Sequence, residues 1–184
     1  MDQVEEQLVA ARLDGRTAAE YMQRFASQPL PPFVDLNRYS IGTDSPHARE
    51  EREMLRREGA YHIQLYYEGV PVAIVGFDVD GRAVSINHIM GAKHRGRRSK
   101  ITFKALSQMQ WEDALVARVE GIGYGVGMEE ARIPKIHVVT NFDGARDMEA
   151  LQRRYEGTAF RRGYRENGAY FFLRLPELNS ARFK

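Results

Sequence analysis

Residues 62–90 constrain the fold more than any other stretch. His62-Ile63-Gln64-Leu65-Tyr66-Tyr67 alternates with the period of a strand. Glu68-Gly69 supplies a turn, and Val70 to Phe77 is a second run, rich in valine and isoleucine. Asp80-Gly81 is a hairpin signal, and Ala83 to Met90 completes a third run. Three consecutive strands joined by tight turns make an antiparallel meander, and the rest of the chain must cover that sheet.

The flanking segments supply the cover. A charged helix is expected from Ser45-Pro46 through Met54 and Leu55 to near Gly59, since proline suits a first helical turn. Phe33 to Ser40 reads as a strand before it. After the meander, a long helix is expected from about Ser99 to beyond Val119, with Trp111, Leu115, Val119 and Ile122 on one stripe. Gly121, Gly123, Gly125 and Gly127 read as a loosened helix end and a flexible connection. No Lys-Ser/Thr follows them, so they are not a P-loop. Lys135 to Val139 is a short strand. Asp147 to Tyr155 is a helix with Met148, Leu151 and Tyr155 on one face and Gly157 as its C-cap. Ala159–Arg165 and Ala169–Leu175 form a hairpin around Asn167-Gly168, a type I′ turn.

The first residues are helical. Val4, Leu8 and Ala11 share a face, and Asp14-Gly15 punctuates. Thr17 caps a second helix through Tyr21 to Phe25, with Glu20 at the reciprocal capping position. Pro29, Pro31 and Pro32 end that region. The chain therefore divides into an N-terminal helical arm, residues 1–28, and one domain, residues 29–184. The expected class is α/β (α+β): a mixed, mostly antiparallel sheet flanked by helices. The arm should pack through Val4, Leu8, Tyr21 and Phe25 on the domain or on a neighbouring subunit, as a homo-oligomer or assembly contact.

Several function classes are excluded. The chain has no cysteine, so disulfides, thiolate nucleophiles and Cys-ligated zinc are ruled out. His47, His62 and His137 lack paired metal-ligand spacing, and His94 sits among cations, so no metal is expected. Met-Asp-Gln-Val-Glu-Glu lacks an apolar signal core, and no run approaches the roughly 18–20 apolar residues of a membrane span. A cytoplasmic protein without a membrane partner is expected. The net charge of +2 is uninformative about nucleic acid, but Lys93, Arg95, Arg97, Arg98 and Lys100 cluster at an expected helix start. That run can hold a pyrophosphate or other polyanion, contact nucleic acid, or be a solvated loop.

The order strand, helix, meander, long helix, strand, helix, hairpin resembles the GNAT superfamily of N-acetyltransferases over residues 33–176. Two motifs sharpen the resemblance. Arg154-Tyr155-Glu156-Gly157-Thr158-Ala159-Phe160 is similar to the family's L-Y-E-K-x-G-F stretch, with Arg154 in place of leucine and Ala159 in place of glycine. Arg95-Gly96-Arg97-Arg98-Ser99-Lys100 stands where the family has R/Q-x-x-G-x-G/A, with Arg98 and Lys100 in place of the small residues. A weaker resemblance is to GNAT-like proteins of short-tailed bacteriophages, which would place the chain in host cytoplasm or a virion.

The resemblance implies an acyl-CoA-dependent N-acyltransferase acting on an amine. Acetyl-CoA would be the cosubstrate, held by Ile89, Met90, Arg95, Gly96, Arg97, Arg98, Ser99 and Lys100. In this family the junction exposes a strand end to the pantetheine and helix N-terminal N–H groups to the pyrophosphate. Tyr155 would protonate the departing thiolate, and His88 would accept the amine proton. Glu68 and Glu112 are alternative bases. Each residue also has a plain structural reading: Tyr155 as helix-to-sheet packing, His88 as an ordinary strand histidine. The corresponding alternative function is a catalytically degenerate binding or structural protein, phage-associated, with the arm docking a partner.

Overall fold

The computed structural model describes residues 3–26, 35–44, 59–91, 106–136 and 145–177. Two helices lead, α1 (Gln3–Ala10) and α2 (Gly15–Gln23), followed by β1 (Tyr39–Asp44). The meander is β2 (Tyr61–Tyr67), β3 (Val70–Asp80) and β4 (Ala83–Gly91). Next come α3 (Trp111–Gly125), β5 (Glu130–Pro134), α4 (Ala145–Arg161), β6 (Arg165–Asn167) and β7 (Tyr170–Arg174). The strands form one seven-stranded sheet in the order β1-β2-β3-β4-β5-β7-β6. Only the β4–β5 pairing is parallel. This is the α+β class with a mixed, mostly antiparallel sheet and flanking helices.

The meander follows from its turns. Glu68 (φ 52°) and Gly69 (φ 76°) are both left-handed, the backbone that a two-residue hairpin needs to match strand twist. In the second turn Gly81 takes φ 57°. The apolar face of the sheet packs on α3: Leu115, Val119 and Ile122 join Ile63, Val75, Phe77, Val84, Ile86 and Ile133 in one buried cluster.

The arm packs against both α3 and β1. Val4, Leu8, Ala11, Tyr21 and Met22 belong to the same cluster, with Phe25 packed against it. Tyr21 donates to the Ala114 carbonyl at 2.8 Å. Arg118 lies over the Tyr21 ring, 5.0 Å from its centroid, and donates twice to the Ala11 carbonyl at 2.8 and 3.2 Å. Between the two helices, Leu13 pairs with Ile41 and extends the edge of β1. The arm thus packs on its own domain through the four residues expected.

Local boundaries differ from the sequence reading in instructive ways. The cap of α2 is Asp14 rather than Thr17: the Leu13–Ile41 bridge fixes extended backbone at Asp14, and the helix starts at once. Glu20 instead pairs with Arg16 at 2.7 Å. The first strand lies at Tyr39–Asp44, not Phe33–Ser40, because Asp35 draws residues 36–38 into a 3₁₀ turn by accepting the Asn37 N–H at 3.0 Å. The helix expected from Ser99 to beyond Val119 is interrupted at 107–110: residues 99–105 lie outside the described residues, Leu106 is helical, and α3 starts at Trp111. The chain before it is held by the arm, with Gln110 N–H donating to the Phe25 carbonyl at 2.7 Å. The helix expected from Ser45 falls, apart from Gly59, outside the described residues.

The glycines at 121–125 do not loosen α3; they lie inside it. A Cβ on Gly123 would stand 2.8 Å from Val84 Cγ1 and 2.9 Å from Leu175 Cδ1, so the missing side chain lets helix and sheet approach. The strand after α3 is Glu130–Pro134, upstream of Lys135–Val139, since Glu129 N–H bonds the Arg82 carbonyl directly after the helix. The expected C-cap at Gly157 is an interior position of α4. That helix runs to Arg161 and ends at Gly163 (φ 81°), with Tyr164 N–H bonding the Ala159 carbonyl at 2.9 Å. The final hairpin is correspondingly shorter, Asn167 pairs with Tyr170, and the turn is Gly168-Ala169 with Gly168 at φ 56°.

Candidate active site

The parallel contact between β4 and β5 is brief. Ala83, Val84 and Ser85 pair with Glu130, Ala131 and Arg132, and there it stops. β4 continues to Gly91 alongside β3 alone. Its backbone from Asn87 onward therefore borders a parting in the sheet.

A bulge sharpens the parting. Gly76 pairs with His88 and Phe77 with Ile86, leaving Asn87 without a partner on β3. An extra residue in one strand bends it and increases local twist. The Asn87 side chain is fixed by its amide, which donates to Asp78 Oδ2 at 2.6 Å, while Asp78 Oδ1 accepts the Ala60 N–H at 2.5 Å.

Tyr155 reaches this parting from α4. Leu151, Tyr155 and Ala159 form the apolar stripe that buries the helix, and the Tyr155 ring is 1% exposed. Its hydroxyl accepts the Ile89 N–H at 3.0 Å and points to the Asn87 carbonyl at 3.3 Å. One phenol thus joins two backbone groups of β4 across the bulge. A buried amide left without an acceptor is costly, so this bond alone gives Tyr155 a structural task.

The neighbouring side chains are charged. Arg154 lies over Trp111, 5.6 Å from the ring, and its Nε stands 3.6 Å from Glu112 Oε1. Burial pushes the Glu112 carboxyl above the usual carboxylate range, against the pull of its own backbone N–H, Arg154 and Arg161. Arg161 grips Asp113 with two bonds, 2.7 and 2.8 Å. Arg162 grips Glu120 at 2.5 and 2.7 Å in full burial. These forks lock the end of α4 to α3, which fixes where Tyr155 sits.

Of the residues singled out in the sequence, Tyr155 and Ile89 come together. Met90 follows on the half-exposed end of β4. His88 is buried on the sheet face turned away from α3, across Gly76 from His62. Glu68 lies in the β2–β3 turn and pairs with Arg38. Arg95, Gly96, Arg97, Arg98, Ser99 and Lys100, with Lys93 and His94, lie outside the described residues, as do His47 and His137. Sequence reasoning missed Asn87, Asp78 and Asp113. An asparagine beside His88 in the strand run 83–90 was the one available signal. Among the described residues no group of three or more His, Asp and Glu could hold a metal ion, and no helix is long and apolar enough to cross a membrane.

The chain matches no protein-family model, no curated protein and no solved structure.

Proposed function

We propose that this chain is an acyl-CoA-dependent N-acyltransferase of the GNAT type, with acetyl-CoA as cosubstrate and an amine as acceptor. The observation that carries the reading is the parting of β4 from β5 with the Tyr155 hydroxyl seated on it. The strand order, with β7 between β5 and β6, supports the same reading.

On this reading the amine attacks the thioester carbonyl. The C–N bond forms, the C–S bond breaks, and the amine loses a proton to a base. Ile89 N–H polarises the carbonyl once Tyr155 releases it, and Tyr155 gives its proton to the thiolate. His88, on the far face, is the base to test first, with Glu112 second because burial favours its proton-bound form. The fit has a condition: the donor that would meet the thioester is already satisfied by Tyr155. The cosubstrate must displace that bond.

A second reading rests on this same bond. Tyr155 at 1% exposure, bonded to Ile89, seals the parting, as expected of a GNAT-type scaffold that binds rather than catalyses. Calorimetry with acetyl-CoA and a Tyr155→Phe variant separates the two. Stability should fall by about 1–3 kcal/mol in either case, because Ile89 N–H loses its acceptor. For the enzyme, acetyl-CoA binds and the acetylation rate falls by about 10²–10⁴-fold in the variant. Failure of the native protein either to bind or to turn over acetyl-CoA refutes the acyltransferase.

A further inference from the structure

The sheet has a second face, and toward its β6 end that face presents exposed and half-buried residues. Val84 and Ala131 face α3, so their neighbours Ser85 and Arg132 face the other way. Cross-strand pairing carries this face outward: Arg132 stands opposite Phe172, and Phe172 opposite Arg165. Residues directly opposite one another share a face. Tyr170 and Arg174 flank Phe172 at two-residue spacing along β7 and share its face.

These residues are accessible. Tyr170 is 40% exposed, the Arg132 side chain 42%, Arg165 and Arg174 are exposed, and Phe172 is half-buried. Arg165 and Arg174 form no ion pair among the described residues, whereas Glu130 partly neutralises Arg132 through a 2.6 Å bond. The patch keeps a positive excess. Burial against a protein core explains none of the three arginines.

Spacing gives the ligand class. Two rings two residues apart on one strand sit about 6.6 Å apart, and arginines on the strands to either side stand about 4.8 Å from the Phe172 column. A sheet that presents rings in this way stacks successive unpaired bases, and guanidinium groups beside the rings meet the phosphates. An acidic peptide would use the arginines but not the rings.

We infer that this face binds single-stranded nucleic acid, with bases on Tyr170 and Phe172 and phosphates on Arg132, Arg165 and Arg174. Arg132 borders the β4–β5 parting, but the site lies on the opposite sheet face from Tyr155 and does not depend on the acyltransferase reading. It also differs from the basic run at 93–100.

The test is fluorescence anisotropy of the full chain with labelled oligothymidylate and oligouridylate of about twelve nucleotides. It is done in an Arg98→Ala, Lys100→Ala background that removes part of the other basic run. Both probes should bind. Tyr170→Ala should weaken binding about fivefold or more, and Tyr170→Phe should retain it, because stacking uses the ring and not the hydroxyl. Replacing Arg165 and Arg174 by alanine should lower the slope of log affinity against log salt by about 0.7 for each arginine. Circular dichroism of these surface variants should match the parent. Three outcomes overturn the inference: neither oligonucleotide binds, which leaves the face to a protein partner; Tyr170→Ala binds as the parent does; or heparin, a polyanion without bases, shows the same affinity and the same dependence on Tyr170.

Discussion

Replacing Gly123 and Gly125 by alanine, one at a time, should move stability in opposite directions. Both lie within α3, where alanine is favoured over glycine by about 0.5–1 kcal/mol. At Gly123 the new Cβ would stand 2.8 and 2.9 Å from Val84 Cγ1 and Leu175 Cδ1, both fully buried. Carbon atoms rest about 3.5–4.0 Å apart, so α3 must lift from the sheet by most of an ångström. Overpacking of that kind costs about 1–3 kcal/mol, which exceeds the helix gain. At Gly125 the three atoms nearest the new Cβ all belong to the Gln7 side chain, with Oε1 closest. That amide can rotate away, so the helix gain prevails. Gly125→Ala should therefore end about 1–3 kcal/mol more stable than Gly123→Ala, a separation of about 2–4 °C in melting temperature per kcal/mol. Urea unfolding followed by the single tryptophan, Trp111, reads both variants. A Gly123→Ala protein more stable than the native chain would refute the close approach of α3 to Val84 and Leu175.

Two further predictions concern buried charge. Arg162→Leu leaves the Glu120 carboxylate at 0% exposure without its fork and should cost about 3–5 kcal/mol, while adding Glu120→Leu should recover most of the loss; urea midpoints check this, and a single-variant loss below about 1 kcal/mol contradicts it. Glu112 has its carboxyl raised by burial, so the folded state holds that proton more tightly than the unfolded state, and the stability gained in acid is lost as pH rises through the folded pKa. Glu112→Gln should accordingly melt higher than the native protein at neutral pH, with the gap closing on acidification. A variant that melts lower by a constant amount at every pH would show that the contact with Arg154 outweighs burial.

How much of this could be read from the sequence depends on the range of the interaction. The meander is local: alternation and left-handed turn residues at 68–69 and 81 set it, and the strands lie within a few residues of expectation. The apolar stripe with Leu151 and Tyr155 is also local, and it placed the Tyr155 ring in the core. Several boundaries that moved were set by distant partners, although the start of β1 was set locally by Asp35. Asp14 is fixed by Ile41, Gln110 by Phe25, and β5 by Arg82. The glycines of α3 were misread because sequence spacing shows that a side chain is missing but not what stands opposite. The same holds for the site. Tyr155 was legible as a residue, but its bond to Ile89 spans 66 positions. The forks that fix α4 span 48 and 42 positions and leave no periodic trace.

The docking of the arm on α3 has a consequence for how the chain acquires its structure. Tyr21 bonds a carbonyl 93 positions ahead, and Arg118 grips one 107 positions behind. Residues 3–26 therefore have only β1 and the turn before it to pack on until α3 exists. Contacts at such separation carry a large loop-closure cost before they return any stabilisation, and chains rich in them fold slowly. The meander can assemble before the arm docks on α3, with the Tyr21 hydroxyl unbonded and the Arg118 side of α3 uncovered. Aggregation during refolding should begin in that interval, at that helix, rather than in the strands.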